Sequence, residues 1–293
     1  MNTHVDVLVN AVIAHPSFED GLKKIERVHR MSGQRPRGLL LLGETGVGKT
    51  TLLNHYVGSY LRQKSVQPGE HPILQMELGS RTTVKSVLTD AIYALGGIPP
   101  KRPTEYELMH QLTTLIAEMK CSLLIIDEAH HLTASRQGTD VAAVADSIKS
   151  LMNQADISII LSGLPHAENA FIGHQELARR FRQKVVLMDF TAVHSWKEFS
   201  SFVSALLELL GGVAAGLKDI ETYKALYIAS HGKPSAISDL LIEALEEMAD
   251  EGDSALSKNH LSAAFESFSA DINPFMQSGA WLDACMNQEA KAS

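Results

Sequence analysis

Apolar positions divide the chain into two differently patterned parts. Four short runs, Gly38–Leu42, Ile73–Leu78, Leu123–Asp127 and Ile157–Leu161, are apolar almost throughout, and a fifth, Lys184–Met188, follows an arginine-rich segment. Such runs are expected of parallel strands buried on both faces, because a strand with one wet face would alternate. Between them the period changes. Leu52, Leu53, Tyr56, Val57, Tyr60 and Leu61 fall on one helical stripe, and similar patterns run through Val84–Leu95, Glu105–Met119 and Val141–Asn153. Strand and helix in alternation predict an α/β layer around a parallel sheet.

Beyond about residue 190 the strand pattern stops. Ser195–Leu210, Asp219–Ser230, Ser235–Ala249 and Ser257–Phe268 read as helices, punctuated by Gly211–Gly212, His231–Gly232 and the Glu251–Gly252–Asp253 turn. The expected organisation is an N-terminal helical segment (1–30), an α/β domain (31–190), a helical domain (191–270) and a C-terminal tail (271–293). That last stretch has little periodicity although it carries Phe275, Met276, Trp281 and Leu282.

Composition narrows the class. With 293 residues, 45% hydrophobic and 20% charged, the chain has the makings of packed cores and not of a disordered protein. Its two cysteines, Cys121 and Cys285, form no disulfide framework, which suits a reducing compartment. The first residues lack a basic start and an apolar core with a small-residue cleavage site, so a cytoplasmic location is expected. The longest apolar stretch, Ala205–Leu217, is interrupted by Glu208 and too short to span a bilayer; no membrane partner is expected. Thirteen histidines are scattered, and around the adjacent pair His130–His131 no further ligand falls at familiar zinc spacing. No metal site of the protein's own is expected there.

The net charge of −8 is unevenly spread. Residues 1–120 hold 14 Lys and Arg against 11 Asp and Glu, whereas residues 191–293 hold 6 against 15. Nucleic-acid binding depends on the local field, so the first part remains open to it.

Gly43-Glu44-Thr45-Gly46-Val47-Gly48-Lys49-Thr50-Thr51 contains the GxxxxGK[ST] pattern, preceded by a strand and followed by an amphipathic helix. Its glycines let backbone N–H groups curl around phosphates at a helix N-terminus. Lys49 is expected to neutralise the β/γ-phosphates of ATP, and the Thr50 hydroxyl to ligate Mg2+. Leu123–Asp127 ends a strand in two carboxylates, Asp127 and Glu128. Asp127 is assigned to the magnesium and Glu128 to the attacking water, which makes the reading hydrolysis. Ser162, ending the fourth run, can touch the γ-phosphate or its water; an ordinary turn serine before Pro165 explains it equally well. Arg179, Arg180 and Arg182 are either a solvated basic face or groups that reach a neighbouring subunit's nucleotide. Asp127-Glu128-Ala129-His130 also spells the box of certain helicases. Those need a second strand-rich lobe, for which the remaining sequence has too few strand runs. His130 and His131 read as helix-start residues near the site.

Together these features resemble an AAA+ ATPase over roughly residues 10–270. Within that superfamily the chain is most similar to the TniB/TnsC family of transposition regulators, through Arg35-Pro-Arg37 leading into GLLLLGETGVGKTTLL, the LIIDEAHHL strand end, LARRFRQKVVL, and weakly through Asn273-Pro274-Phe275. The resemblance implies a five-stranded parallel sheet of order 5-1-4-3-2 with a helical lid. It also implies a ring or helical homo-oligomer with ATP between subunits, and an arginine finger, assigned first to Arg180 with Arg179 and Arg182 as alternates. The implied partners are double-stranded DNA, a transposase and a target-selection protein. A helicase loader, a secretion ATPase or a nucleotide-gated scaffold without DNA are the alternatives. The DNA-facing wall implied by the resemblance lies between the second and third strands, where Arg81, Lys85, Lys101 and Arg102 sit in stretches free of acidic residues. One departure concerns the lid: Ser235 stands where many relatives carry an arginine, and Lys233 is the nearest substitute.

Overall fold

The computed structural model describes residues 3–79, 83–132, 139–168 and 175–292. Five parallel strands, β1 (Gly38–Leu42), β2 (Ile73–Glu77), β3 (Leu123–Asp127), β4 (Ser158–Gly163) and β5 (Gln183–Val186), form one sheet in the order β2-β3-β4-β1-β5. Read from the other edge, this is the expected 5-1-4-3-2. Along the chain up to β5 the described helices are α1 (Thr3–Val9), which belongs to the second unit below, and α2 (Pro16–His29), α3 (Lys49–Gln63), α4 (Val84–Ala94), α5 (Glu105–Glu118), α6 (Thr139–Gln154) and α7 (Gln175–Arg180).

The strands are continuous apolar runs because alternate residues enter two different cores. Leu40, Leu42, Leu74, Met76, Leu124, Ile126, Ile159 and Leu161 pack in one cluster with Val87, Leu88 and Ile92 of α4, Leu108 and Leu112 of α5, and Ile148 and Met152 of α6. Their neighbours Leu39, Leu41, Leu123, Ile125 and Ile160 are fully buried outside that cluster, as are Ile25 of α2 and Leu52 and Leu53 of α3. Period-2 side-chain alternation in strands accounts for both sets. Capping fixes α4 and α5. Thr83 and Ser86 form a reciprocal capping box, and Thr104 and Glu107 form another. At the start of β1, Gly38 lies beneath the Phe181 ring, where an added Cβ would approach within 2.4 Å.

Two compact units result, one of residues 17–45 and 49–187, the other of residues 1–16, 46–48 and 188–293. The second is helical: α8 (Trp196–Leu209), α9 (Ile220–Ser230), α10 (Pro234–Glu251), α11 (Lys258–Phe268) and α12 (Gly279–Ala292), around a core with Phe199, Leu206, Leu226, Leu241, Leu245 and Leu261. α1 contributes Leu8 to this core, so the first residues go with the C-terminal helices and not with α2. The expected tail is also corrected. Residues Pro274–Met276 form a short 3-10 turn and Gly279–Ala292 a helix, with Phe275 and Leu282 buried in the same core. Asn273 holds the turn by donating from Nδ2 to Ser262 and Glu266. Trp281, Leu282 and Met286 provide an apolar stripe too short to stand out in the sequence. Leu282→Ala is therefore expected to cost about 2–4 kcal/mol, read as a lowered denaturation midpoint with unchanged secondary structure. A midpoint equal to wild type would restore the tail reading.

Among the described residues, no helix is long and apolar enough to cross a membrane.

In the first unit the buried His29 bridges elements. Its Nδ1 lies 2.8 Å from the Tyr56 hydroxyl and its Nε2 2.7 Å from Ser122 Oγ. Burial pushes its pKa down to about 4, and the Lys64 charge adds to the effect. The unfolded chain therefore binds a proton that the folded chain refuses between about pH 6.5 and pH 4. Stability from this group is complete above pH 6.5 and is lost as pH falls through that window. The slope of unfolding free energy against pH is expected to shrink there in His29→Asn, measured by urea denaturation at successive pH values.

Candidate nucleotide-binding site

The phosphate-binding pattern lies between β1 and α3, as its spacing requires. Gly46 and Gly48 take φ of +87° and +93°, the left-handed region open to glycine. Lys49 is buried at the start of α3, and its Nζ donates to the carbonyls of Gly43 and Glu44, each at 2.9 Å. Burial pushes the Lys49 ammonium pKa down, while Glu128, Asp127 and Glu44 oppose the shift.

β3 carries the acidic pair to the same edge of the sheet. Thr50 Oγ1 donates to Asp127 Oδ2 at 2.8 Å, so the hydroxyl and carboxylate assigned to magnesium are in contact although 77 positions apart. Both are hard oxygen donors and suit Mg2+. Asp127 Oδ1 accepts the Glu128 N–H at 2.9 Å. Glu128 has φ of +55°, which turns the chain sharply out of the strand into a 3-10 turn at Ala129–Leu132. The turn brings His130 Nδ1 to 2.8 Å from Glu128 Oε2 and sets the two imidazoles 4.2 Å apart. Burial lowers the His130 pKa, partly countered by Glu128 and reinforced by His131, His166 and Lys49.

Ser162 sits in β4 beside Leu41 of β1. It is fully buried, and among the described residues its Oγ has no hydrogen-bond partner. An unsatisfied buried hydroxyl costs roughly 1–3 kcal/mol, a cost that a polar ligand removes. In the helical unit, to which Gly46 belongs, Ser235 N–H donates to the Gly46 carbonyl at 3.1 Å. A Cβ on Gly46 would come within 2.3 Å of Ser235 Oγ and 3.1 Å of Lys233 Cδ. The two residues singled out in place of the lid arginine thus lie against Gly46.

Arg179, Arg180 and Arg182 line a cleft of about 540 Å3 together with Arg35, Arg37 and Lys149. Sheet register explains the gathering. β1 pairs with β5 from Leu39 opposite Gln183, which puts Arg37 and Arg182 at neighbouring strand starts. Arg180 also donates from Nη2 to Asn153 Oδ1, while Arg179 and Arg182 are exposed. The sequence reading missed Arg35, Arg37 and Lys149 as members of this cleft, although Arg35-Pro-Arg37 was visible as a basic approach to β1.

Lys85 is exposed in the first turn of α4, and Lys101 and Arg102 are exposed in the connection between α4 and α5. Arg81 lies outside the described residues. Ile98 and Tyr106, 82% and 78% exposed, flank the Lys101–Arg102 pair.

The family described as Bacterial TniB protein matches residues 7–190, more than half of the sequence. The chain belongs to the TniB family. No curated protein matches it in sequence. Solved structures similar to this TniB-family chain include Aeropyrum pernix Orc1 in complex with DNA, with TM-score 0.66, 18% identity, and coverage of 89% of this chain and 68% of that one. Aeropyrum pernix ORC2, in ADPNP–ADP complexes, gives 0.63 and 16%, covering 87% and 68%. The Thermotoga maritima RuvB Holliday junction branch migration motor gives 0.53 and 15%, covering 89% and 72%. At these identities the likeness establishes the fold, which is that of AAA+ ATPases.

Proposed function

We propose that this TniB-family chain is an ATP-hydrolysing switch that assembles on double-stranded DNA and regulates transposition, marking a target site and recruiting or activating the transposase, with the transposase and a target-selection protein as its partners. The observation that carries the hydrolytic part is the convergence of Lys49, Thr50, Asp127 and Glu128 at one sheet edge with the buried hydroxyl of Ser162. The glycine loop and Lys49 hold the triphosphate, and Thr50 and Asp127 hold Mg2+, which neutralises phosphate charge when bound. Glu128 orients water and accepts its proton. Ser162 donates to the γ-phosphate or the water. The cationic cleft around Arg180 offers a neighbouring subunit's nucleotide the charge that a loose phosphoryl transition state requires.

DNA association draws support from family membership and from neighbours such as Orc1, whose structure is described in complex with DNA. The exposed Lys85, Lys101 and Arg102, with Arg81, are assigned to phosphates, which gives sequence-tolerant contacts. Lys101→Ala/Arg102→Ala is expected to weaken binding equally on unrelated duplexes and to lower the log–log salt slope by up to about 2, with ATP binding retained. Unchanged affinity at low salt in this variant and in Arg81→Ala/Lys85→Ala removes the surface from the DNA path. The deciding experiment is electron microscopy of the protein with duplex DNA and a non-hydrolysable ATP analogue. Oligomers threaded by DNA support the proposal; oligomers indifferent to DNA favour a nucleotide-gated scaffold.

A further inference from the structure

The sequence spacing of His130 and His131 suggested no metal site, yet the three-dimensional arrangement does. One ligand atom each from Glu128, His130 and His131 lies within 4.8 Å of the other two, and all three side chains are half-buried. The backbone makes this convergence possible. The left-handed turn at Glu128 reverses its side chain toward residues two and three positions later, and His131 N–H closes the turn on the Glu128 carbonyl at 3.0 Å. Gly163 seats the turn, since a Cβ there would come within 3.0 Å of the His130 nitrogen. The His166 ring stands edge-on to His130, 5.8 Å away between centroids.

We propose that Glu128, His130 and His131 form a binding site for a borderline divalent transition ion of the Zn2+ class, and that occupancy withdraws Glu128 from hydrolysis. Two imidazole nitrogens and one carboxylate oxygen are a donor set of three-ligand zinc sites, which keep one position open. The same set discriminates against Mg2+, which prefers oxygen donors and near-ideal octahedral geometry. The site is therefore distinct in chemistry from Thr50 and Asp127, although it shares the strand end. A metal on the Glu128 carboxylate lowers its basicity and competes with the water that it is proposed to activate, so ions of this class slow turnover without displacing ATP. The inhibitory consequence rests on the reading of Glu128 as the base; the binding site does not.

A second gathering, Glu251, Asp253 and His260, must be silenced first. In a full-length Glu251→Gln/Asp253→Asn background, nucleotide-free protein is titrated calorimetrically with ZnCl2 in excess Mg2+. One Zn2+ per chain is expected, lost in His131→Asn and in His130→Asn, and Co2+ in the same site should develop visible ligand-field absorption. Thermal melts of both variants that match the background keep loss of binding separate from loss of fold. Unchanged stoichiometry and affinity in both histidine variants overturn the site, as does Mg2+ competing with Zn2+ on equal terms. Turnover is then measured with zinc held by a metal buffer. Inhibition in the background that is absent in His131→Asn supports the whole proposal. Zinc binding that needs His131 but leaves turnover unchanged overturns the inhibitory half, while the reading of Glu128 as the base stands or falls separately on phosphate release by Glu128→Gln.

Discussion

Glu128→Gln is expected to bind ATP with near wild-type affinity and to lose hydrolysis by about 100-fold or more, whereas Lys49→Ala is expected to lose ATP binding itself. The two residues are close in space and opposite in role. Lys49 is a buried cation whose ammonium satisfies carbonyls of the phosphate loop, so its removal takes away both a charge for the triphosphate and a brace for Gly43 and Glu44. The Glu128 carboxylate faces His130, whose Nδ1 lies 2.8 Å from Oε2. Glutamine keeps the shape and loses the proton acceptor. ATP affinity by fluorescent-nucleotide titration and phosphate release on the same samples separate the two. The Glu128→Gln protein should also accumulate in the ATP-assembled state, visible as a larger species in sedimentation. Normal phosphate release by Glu128→Gln ends the assignment of the base.

The sheet, and the strand–loop–helix setting of the proposed phosphate site, were legible because both depend on local pattern. Continuous apolar runs announce strands buried on both faces, and the strands observed at Gly38–Leu42 and Leu123–Asp127 have the expected ends. The last two were displaced at their ends: β4 extends through Ser162 and Gly163, and β5 stops at Val186. Hydrogen bonding to the neighbouring β1 sets those limits, and apolar content does not report it. Thr50 and Asp127 could be paired in advance since each motif has one mechanical purpose.

What could not be read came from long-range contact or from single dihedrals. Nothing in Thr3–Val9 says that its Leu8 packs with helices some 200 residues later. The convergence of Glu128 with His130 and His131 depends on one left-handed residue, and sequence spacing alone argued against it. Arg35, Arg37 and Lys149 join the three arginines near α7 only once strand order is known.

That cleft carries the other large expected effect. Arg180→Ala should bind ATP as a monomer with unchanged affinity and yet lose assembly-stimulated turnover by about 1,000-fold or more, the scale of an arginine supplied across an interface. The cations line the sheet edge where β1 and β5 begin, whereas the phosphate loop follows the end of β1. A strand separates them within one chain, so the cleft's charge is best spent on a second copy's nucleotide. Arg180 is the first choice because its contact with Asn153 fixes the guanidinium while Arg179 and Arg182 extend into solvent. Action in trans has a distinctive signature. Arg180→Ala has an intact phosphate site and Lys49→Ala an intact cleft, so mixing two inactive proteins should restore a fraction of turnover at the interfaces that combine them. If Arg180→Ala alone turns over at the wild-type rate, the role passes to Arg179 or Arg182, tested by the same mixing. If every single variant retains full turnover, and the triple variant does as well, the cleft has no part in hydrolysis.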